Sequence, residues 1–576
     1  MSSLSVLPFV RLSRALALAS GALMLGLSGS AAAKPAKAAA PHAMVVAANP
    51  LAAAAGMKVL KAGGSAADAA VAIQAVLGLV EPQSSGLGGG AFMTYYDAAS
   101  HAVSAYNGRE TAPAGARPDM FIGADGKPLG FIAAVLSGRS TGAPGAVAML
   151  ALAQKEHGRL KWSALFGQAE HLAQDGFVVS PRLDGFVNNA RVAQAAAPDI
   201  TAYFTKSAGG KVHAGDVLKN PAYADTLRRL AAEGPSALYT GQIAQDIAAR
   251  VHGDPIPGTL TVQDLAAYRP KEGAAICRPH RMFLVCTPPP PSSASALLEG
   301  LQILDHTDIA ARGPNDPKAW LQFIQAQRLM YADRDRYFGD ADFVSVPLDG
   351  LLDPAFAAQR AMLIGETLGP NPAPGVPAGA KPRGADATRE PGGTSHFVVV
   401  DRWGNVVSMT TSVENVFGSG RMTHGFVLNN QLTDFSFSPT EASGAQAANA
   451  VAPLKRPRSS MSPVIVLDRQ GRFYAALGSP GGNAILAYDL KMLVALLDWG
   501  LPVDKAVALP NVIARGGGVG AEDSRMSPAL IKGLADLGVT IRPGAGEESG
   551  FHAVTNKGGK LSGAADPRRE GVVLSY

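Results

Sequence analysis

The sequence predicts a mixed α+β fold built in layers. Helical periodicity dominates residues 145–270, strand-like runs dominate the chain after His396, and no repeat of fixed period joins the two. Composition allows a large core: of 576 residues 47% are hydrophobic and only 17% charged, which excludes a disordered chain. The net charge of +5 is too small for a nucleic-acid footprint. With 2 cysteines, a disulfide-stapled miniprotein and a Cys-only zinc cluster are excluded, and no HExxH occurs among the 11 histidines. No metal site and no cofactor are expected.

At the N-terminus, Arg11 and Arg14 precede an apolar run from Ala15 to Leu27 and then small residues ending Ala31-Ala32-Ala33. That run is short for a bilayer span, so residues 1–33 read as an export signal, and the mature chain is expected to be periplasmic or secreted without a membrane anchor. An oxidising compartment gives Cys277 and Cys286 a use. The residues between them, Arg278 to Val285, could fold back as a ribbon and bring the sulfurs within reach, while two free buried thiols remain the alternative.

Asn49-Pro50 opens a helix that runs to Ala62 and stops at Gly63-Gly64. Ser65 caps a second helix, Ala66 to about Val80, with Asp68 as its capping partner. A glycine-rich stretch, Ser84 to Ala91, leads into a strand from Phe92 to Tyr96. Helices follow at Ala146–Glu156 and Asp225–Glu233, and the proline run Pro288–Pro291 introduces another from Ser295 to Asp305. Leu368 to Gly393 turns to Pro, Gly, Ala and charge without apolar periodicity and reads as an exposed loop. Strands are expected beyond it at His396–Asp401, Val406–Val413, Pro463–Leu467 and Phe473–Ala476.

Two short patterns imitate known chemistry. Gly86-Leu-Gly88-Gly-Gly-Ala91 fits G-x-G-x-x-A, but that fingerprint must follow a strand and open a helix, and here the order is reversed. It reads instead as a tight backbone packing site. Gly138-Arg-Ser140-Thr-Gly142 fits G-x-S-x-G and follows the strand-like Phe131 to Leu136. Pro144, four residues past the serine, sits where the helix of a nucleophile elbow should already run, which argues against Ser140 as a nucleophile.

A third pattern, Gly392-Gly393-Thr394-Ser395-His396, lies where the loop gives way to a strand. A threonine there is placed to become a new N-terminus. Its hydroxyl then attacks while its own α-amine, with pKa near 8, takes the proton. The loop Arg402-Trp403-Gly404 closes a hairpin whose index sum pairs Asp401 with Asn405 and Thr394 with Ser412, which sets a second hydroxyl across from the first. Glu414 is expected about one side-chain repeat further on the same face.

With these residues in view, the sequence resembles the γ-glutamyltranspeptidase family of N-terminal nucleophile hydrolases from about Ala47 to the C-terminus. Beyond the Thr394 junction, the resemblance rests on Ala62-Gly-Gly-Ser-Ala-Ala-Asp-Ala-Ala70, Gly86-Leu-Gly-Gly-Gly90, Gly108-Arg109-Glu110, Asn429-Asn-Gln-Leu-Thr-Asp434, Arg456-Pro-Arg-Ser459-Ser460-Met-Ser-Pro463 and Gly478-Ser-Pro-Gly481-Gly482. It implies a four-layer αββα sandwich. It also implies self-cleavage between Gly393 and Thr394 into a large chain, 34–393, and a small chain, 394–576, which stay associated as a heterodimer. Thr394 would take the acyl group of a γ-glutamyl compound such as glutathione and pass it to water or to an amino-acid or peptide amine. Gly481 and Gly482 would form the oxyanion hole, and Ser412 would assist Thr394. Arg109, Ser459 and Ser460 would receive the α-carboxylate, and Glu414, Gln431 and Asp434 the α-ammonium.

Ser412 stands where many members have threonine and Glu414 where many have asparagine. The stretch Phe435 to Arg458 looks shorter than in members with a lid and contains no tyrosine, which implies a more open site. The rival readings are a glutaryl-cephalosporin acylase on the same fold, whose acyl group lacks the ammonium, and a non-catalytic binding protein.

Overall fold

The structure is a computed structural model describing residues 42–576 apart from Ala387, 442–443 and 545–548, so the export signal expected at 1–33 lies outside the described residues. Among the described residues no helix is long and apolar enough to cross a membrane.

Two antiparallel sheets form the centre. The strands of the first are β1 (Met44–Ala47), β2 (Gly90–Tyr96), β3 (Val103–Gly108) and β4 (Lys271–Ala274), joined by three from the C-terminal part of the chain. The second sheet takes β5 (Ile276–His280) and β6 (Phe283–Thr287) from the N-terminal part. Further along the chain come β7 (Thr394–Val400), β8 (Val406–Ser412), β9 (Val464–Leu467), β10 (Phe473–Gly478), β11 (His552–Lys557), β12 (Lys560–Ala565) and β13 (Val572–Ser575). The spatial order is β13-β1-β7-β8-β2-β3-β4 in one sheet and β12-β11-β10-β9-β6-β5 in the other.

Side-chain alternation separates three apolar layers. In β1 and β7, Val45, Ala47, Phe397 and Val399 face helices α1 (Pro50–Lys61), α2 (Ala66–Val80) and α4 (Ala146–His157), with α3 (Phe131–Val135) lying between them in the chain. Met44, Val46, Val398 and Val400 face the other way and meet Ile465, Ala476 and Val554 of the second sheet. The far side of that sheet packs Val464, Val466 and Leu477 on α5 (Ser295–Leu304), α6 (Pro317–Tyr337) and α7 (Ile485–Leu493). The result is the αββα sandwich. Both faces of β7 and β8 are buried, so the polar residues Ser408, Thr410 and Ser412 on one face of β8 lie inside the sandwich and not in solvent.

Local signals place several elements. Asn49 caps α1, and Ser65 and Asp68 form the capping box of α2, with the Asp68 amide 3.2 Å from the Ser65 hydroxyl oxygen. Cys277 of β5 and Cys286 of β6 are direct neighbours across a hairpin and are joined by a disulfide.

Two expectations need correction. Phe131 to Leu136 is not a strand: Phe131–Val135 is a short helix, a run too brief for periodicity to distinguish the two. Among the described residues, 368–393 lack helix and strand, but the stretch is not exposed throughout, since Asp386, Thr388 and Glu390 are buried against partners from distant parts of the chain.

Candidate active site

The site is built around the hairpin β7–β8. Gly404 takes φ +86° in the turn, and the ladder pairs Val400 with Val406 and Thr394 with Ser412. Even-numbered residues of β7 point between the sheets, so Thr394 faces the gap at the open end of the sandwich. Its Oγ1 lies 3.1 Å from Ser412 Oγ. The Ser412 hydroxyl donates to the carbonyl oxygen of Gly393 at 3.0 Å and accepts from the Glu414 amide at 2.8 Å. One hydroxyl is thus beside the Gly393–Thr394 peptide and a second polarises its carbonyl. A Cβ on Gly393 would meet the Glu414 carbonyl oxygen at 2.2 Å, so only glycine fits before the threonine.

Strand β8 ends at Ser412, and Glu414 leaves the strand periodicity with φ +80°. A left-handed glutamate is a strained backbone, of order 1–3 kcal/mol, of the kind that clusters at functional sites. It is stabilised by an Asn430 amide on Glu414 Oε2. The other oxygen, Oε1, has no partner although the residue is buried.

Asp434 closes a 3-10 turn, Gln431–Asp434, and its Oδ2 accepts from Gln431 Nε2 at 3.0 Å and from Arg109 Nη2 at 2.5 Å. Arg109 follows the last residue of β3 and is wholly buried. Its Nε and Nη2 also donate to the carbonyls of Pro457 and Arg458, at 3.1 and 2.7 Å, which leaves Nη1 without a hydrogen-bond partner. Asp434 Oδ1 and Gln431 Oε1 are likewise buried and unpartnered. Glu414 Oε1, Asp434 Oδ1 and Gln431 Oε1 are thus acceptors left for a ligand, while Arg109 Nη1 faces the Glu110 carboxylate at 3.9 Å.

Gly481 (φ +139°) and Gly482 (φ +55°) follow β10 and lead into α7. A Cβ on Gly481 would strike the Tyr488 ring at 2.4 Å, and one on Gly482 the Glu390 carbonyl oxygen at 2.0 Å. Thr394, Ser412, Glu414, Gln431, Asp434, Ser459, Ser460 and Gly482 line one cavity together with Glu390 and Pro391. Arg109 stands behind Asp434, and Gly481 is next to Gly482 in the chain. In the uncut chain the accessible space is about 20 Å³, room for about one water molecule.

The imitating motifs resolve as packing. Ser140 is fully buried, with its Oγ 2.7 and 2.8 Å from the carbonyl oxygens of Val135 and Ser137, so it reaches no substrate. Around Gly88, Gly89 and Gly90, a Cβ would meet Val427 O and Ser412 O at 2.1 Å and the Glu110 carboxylate at 2.4 Å. These glycines let the backbone of β2 close against Ser412.

Across residues 52–576 the chain matches the family model of γ-glutamyltranspeptidase. It belongs to the γ-glutamyltranspeptidase family. Among its relatives is a glutathione hydrolase proenzyme of Bacillus subtilis, 33% identical, with 92% of this chain and 91% of the relative covered. A protein of the same description from Escherichia coli is 34% identical over the same shares. The crystal structure of a cephalosporin acylase from Bacillus halodurans superposes with a TM-score of 0.79 at 25% identity, covering 96% of this chain and 99% of that one.

In this member of the γ-glutamyltranspeptidase family the carboxyls of the site are held unevenly. Burial pushes Asp434 up to about 6 against the opposing pull of Arg109. Burial and the neighbouring Asp434 raise Glu414 well above the usual carboxylate range. Glu110, buried with its carboxylate 3.9 Å from Arg109 Nη1 and neither oxygen hydrogen-bonded, is raised to about 8 by desolvation. Arg109 and Asp434 thus face each other as an ion pair, beside a Glu414 carboxyl that burial shifts toward its neutral form.

Sequence reasoning missed three residues that touch this site: Glu390, Arg334 and Arg458. Arg458 stands inside the Arg456–Pro463 stretch, yet nothing local marks it as buried. Glu390 lies in the loop that composition alone presents as exposed.

Proposed function

We propose that the chain is a γ-glutamyltransferase and glutathione hydrolase that activates itself by cutting before Thr394. The observation that carries the reading is the contact of Thr394 Oγ1, Ser412 Oγ and the Gly393 carbonyl at 3.0–3.1 Å, next to unpartnered groups fit for a zwitterion. The glutathione hydrolase proenzymes among its relatives support it.

In the uncut chain Thr394 Oγ1 attacks the Gly393 carbonyl carbon while Ser412 steadies the oxygen. The Thr394 nitrogen leaves with a proton, giving an ester, and water hydrolyses it to a Gly393 carboxylate and a free Thr394. No ladder bond is broken, since β7 stays between β1 and β8, so chains 34–393 and 394–576 remain associated. The freed α-amine, with pKa near 8, then accepts the hydroxyl proton as Thr394 attacks a γ-glutamyl amide. Gly481 and Gly482 supply backbone amides for the developing oxyanion. Arg109 Nη1 and the Ser459 and Ser460 hydroxyls hold the α-carboxylate, while Glu414, Gln431 and Asp434 hold the ammonium. The rest of the glutathione leaves as an amine, and water or another amine releases the acyl group. The Cys277–Cys286 disulfide supports a periplasmic or secreted location.

Intact mass under denaturing conditions tests the self-cleavage: two fragments are expected, the smaller beginning at Thr394. A glutaryl-cephalosporin acylase would hydrolyse glutaryl-p-nitroanilide at least as fast as the γ-glutamyl anilide, whereas the ammonium receptor makes the γ-glutamyl compound the better donor here. Ser412→Ala is expected to slow self-cleavage about 10²-fold, the loss typical of one donor on a reacting carbonyl, followed by gel densitometry of the uncut chain over time.

Because only ionised Asp434 neutralises Arg109 and holds the ammonium, kcat/KM for γ-glutamyl-p-nitroanilide is expected to fall in acid, with a midpoint below the value of about 6 that Asp434 has in the uncut chain, since Glu390 is one of the charges that raise it there. Asp434→Asn should show lower activity and lack that limb of the profile.

A further inference from the structure

Glu390 is in the loop before the cleavage point, yet it is among the most firmly held residues of the site. Its Oε2 accepts from the Ser460 hydroxyl at 2.5 Å and its Oε1 from Arg334 Nη2 at 2.6 Å and Arg458 Nη2 at 3.5 Å. Its backbone carbonyl accepts from the Asn483 amide at 2.8 Å. Arg334 and Arg458 are fully buried, and Arg458 Nε and Nη1 have no hydrogen-bond partner.

The segment cannot keep this place in a working enzyme. With Glu390 and Pro391 lining it, the cavity beside Thr394 has about 20 Å³ of space, too little for any acyl group with side chains. Withdrawal of Glu390 takes one carboxylate from the Arg334–Arg458 pocket. Withdrawal back to Asp386, which lies 3.0 Å from Arg458 Nη2, takes two. Asp335 then remains to balance Arg334, Arg458 and Arg515. Buried guanidiniums left without anions are costly, so the vacated pocket favours a new carboxylate.

We infer, building on the γ-glutamyl reading above, that Arg334 and Arg458 form a carboxylate subsite which the uncut chain fills with Glu390 and which cleavage opens to a second carboxylate of the substrate, while the Ser460 hydroxyl, released from Glu390, turns to the α-carboxylate held by Arg109. Direction supports this assignment. The chain ending at Gly393 and the acyl part of a donor are both acyl groups presented to Thr394 Oγ1, so both run away from it on the same side. Arg109 receives the carboxylate nearer the reacting carbonyl. The Glu390 pocket receives one further out, as on a chain of two γ-linked glutamyl units, whose inner α-nitrogen is an amide and gives the Glu414–Gln431–Asp434 receptor one N–H in place of the ammonium of a one-unit donor.

The test uses the cleaved enzyme with di-γ-glutamyl-p-nitroanilide, its outer α-carboxylate either free or converted to a primary amide. Release of the intact two-unit acyl product is followed by mass spectrometry. The free acid is expected to show about tenfold lower KM than the amide, the worth of one charge-assisted pair. That ratio should fall to about one in Arg458→Leu, be intermediate in Arg458→Lys, and persist in Glu390→Gln, whose side chain no longer occupies the pocket. Should Arg458→Leu fail to cut itself, Arg458→Lys carries the comparison. Equal KM for acid and amide in the wild type, or a preference that survives loss of the Arg458 fork, overturns the subsite. Hydrolysis of γ-glutamyl-p-nitroanilide but of neither two-unit donor also overturns it while leaving the γ-glutamyl reading intact. No hydrolysis of the one-unit donor overturns that reading and the subsite with it.

Discussion

Thr394→Ala is expected to yield a single uncut chain with γ-glutamyl turnover reduced about 10⁴-fold or more, because it removes the nucleophile of both the self-cleavage and the acyl transfer. The loss should be complete at the level of processing: without Oγ1 the hydroxyl left at the Gly393 carbonyl is that of Ser412, which already donates to its oxygen. Folding should survive, since Thr394 Oγ1 makes one hydrogen bond, to Ser412, and the ladder contacts of β7 are carried by the backbone. Thr394→Ser separates the two roles, since it keeps a hydroxyl and gains an α-amine when cut; it should process and turn over, more slowly than the wild type. Intact mass and release of p-nitroaniline from the γ-glutamyl anilide check both variants. A chain that still cuts at residue 393 in Thr394→Ala would disprove the proposed chemistry.

Arg109→Leu is the second change with a large expected effect. Arg109 is wholly buried, and its loss leaves Asp434 with Gln431 as its remaining side-chain partner and no cation. Removing one member of a buried hydrogen-bonded charge pair costs about 2–5 kcal/mol, which places the fall in kcat/KM near 10³-fold. The same change removes the proposed α-carboxylate donor, so KM should carry most of the effect. Arg109→Lys keeps the charge but not the fork that reaches Asp434 and two carbonyls at once, and should lie between. Steady-state kinetics on the cleaved variants, with thermal denaturation to separate site loss from unfolding, checks this. A near-normal KM in Arg109→Leu would move the carboxylate receptor elsewhere.

Much of the site was legible before any coordinates. The pairing of Thr394 with Ser412 follows from a strand period of two and a short loop with glycine at its left-handed position, both local properties. The caps at Asn49 and Ser65 were readable for the same reason. The reading broke down where the deciding contact is distant in sequence. Glu414 was expected to continue the face of β8, but its backbone turns over to meet Asn430, sixteen residues on. Phe131 to Leu136 reads as strand-like in sequence because so short an apolar run shows no usable period, yet Phe131–Val135 is helical. The loop before Thr394 was read as exposed because composition cannot show that Glu390 meets Arg334, fifty-six residues back, and Ser460, seventy residues ahead.

Periodicity and turn chemistry suffice for the α+β class and for the hairpin that sets two hydroxyls side by side, and the family resemblance points to the residues for a zwitterion. That Arg109 and Asp434 are paired, that Ser140 is sealed in the core, and that the chain's own Glu390 fills an arginine pocket are properties of the folded chain. Those outcomes depend on burial, and burial is set by which distant segments the two sheets bring together.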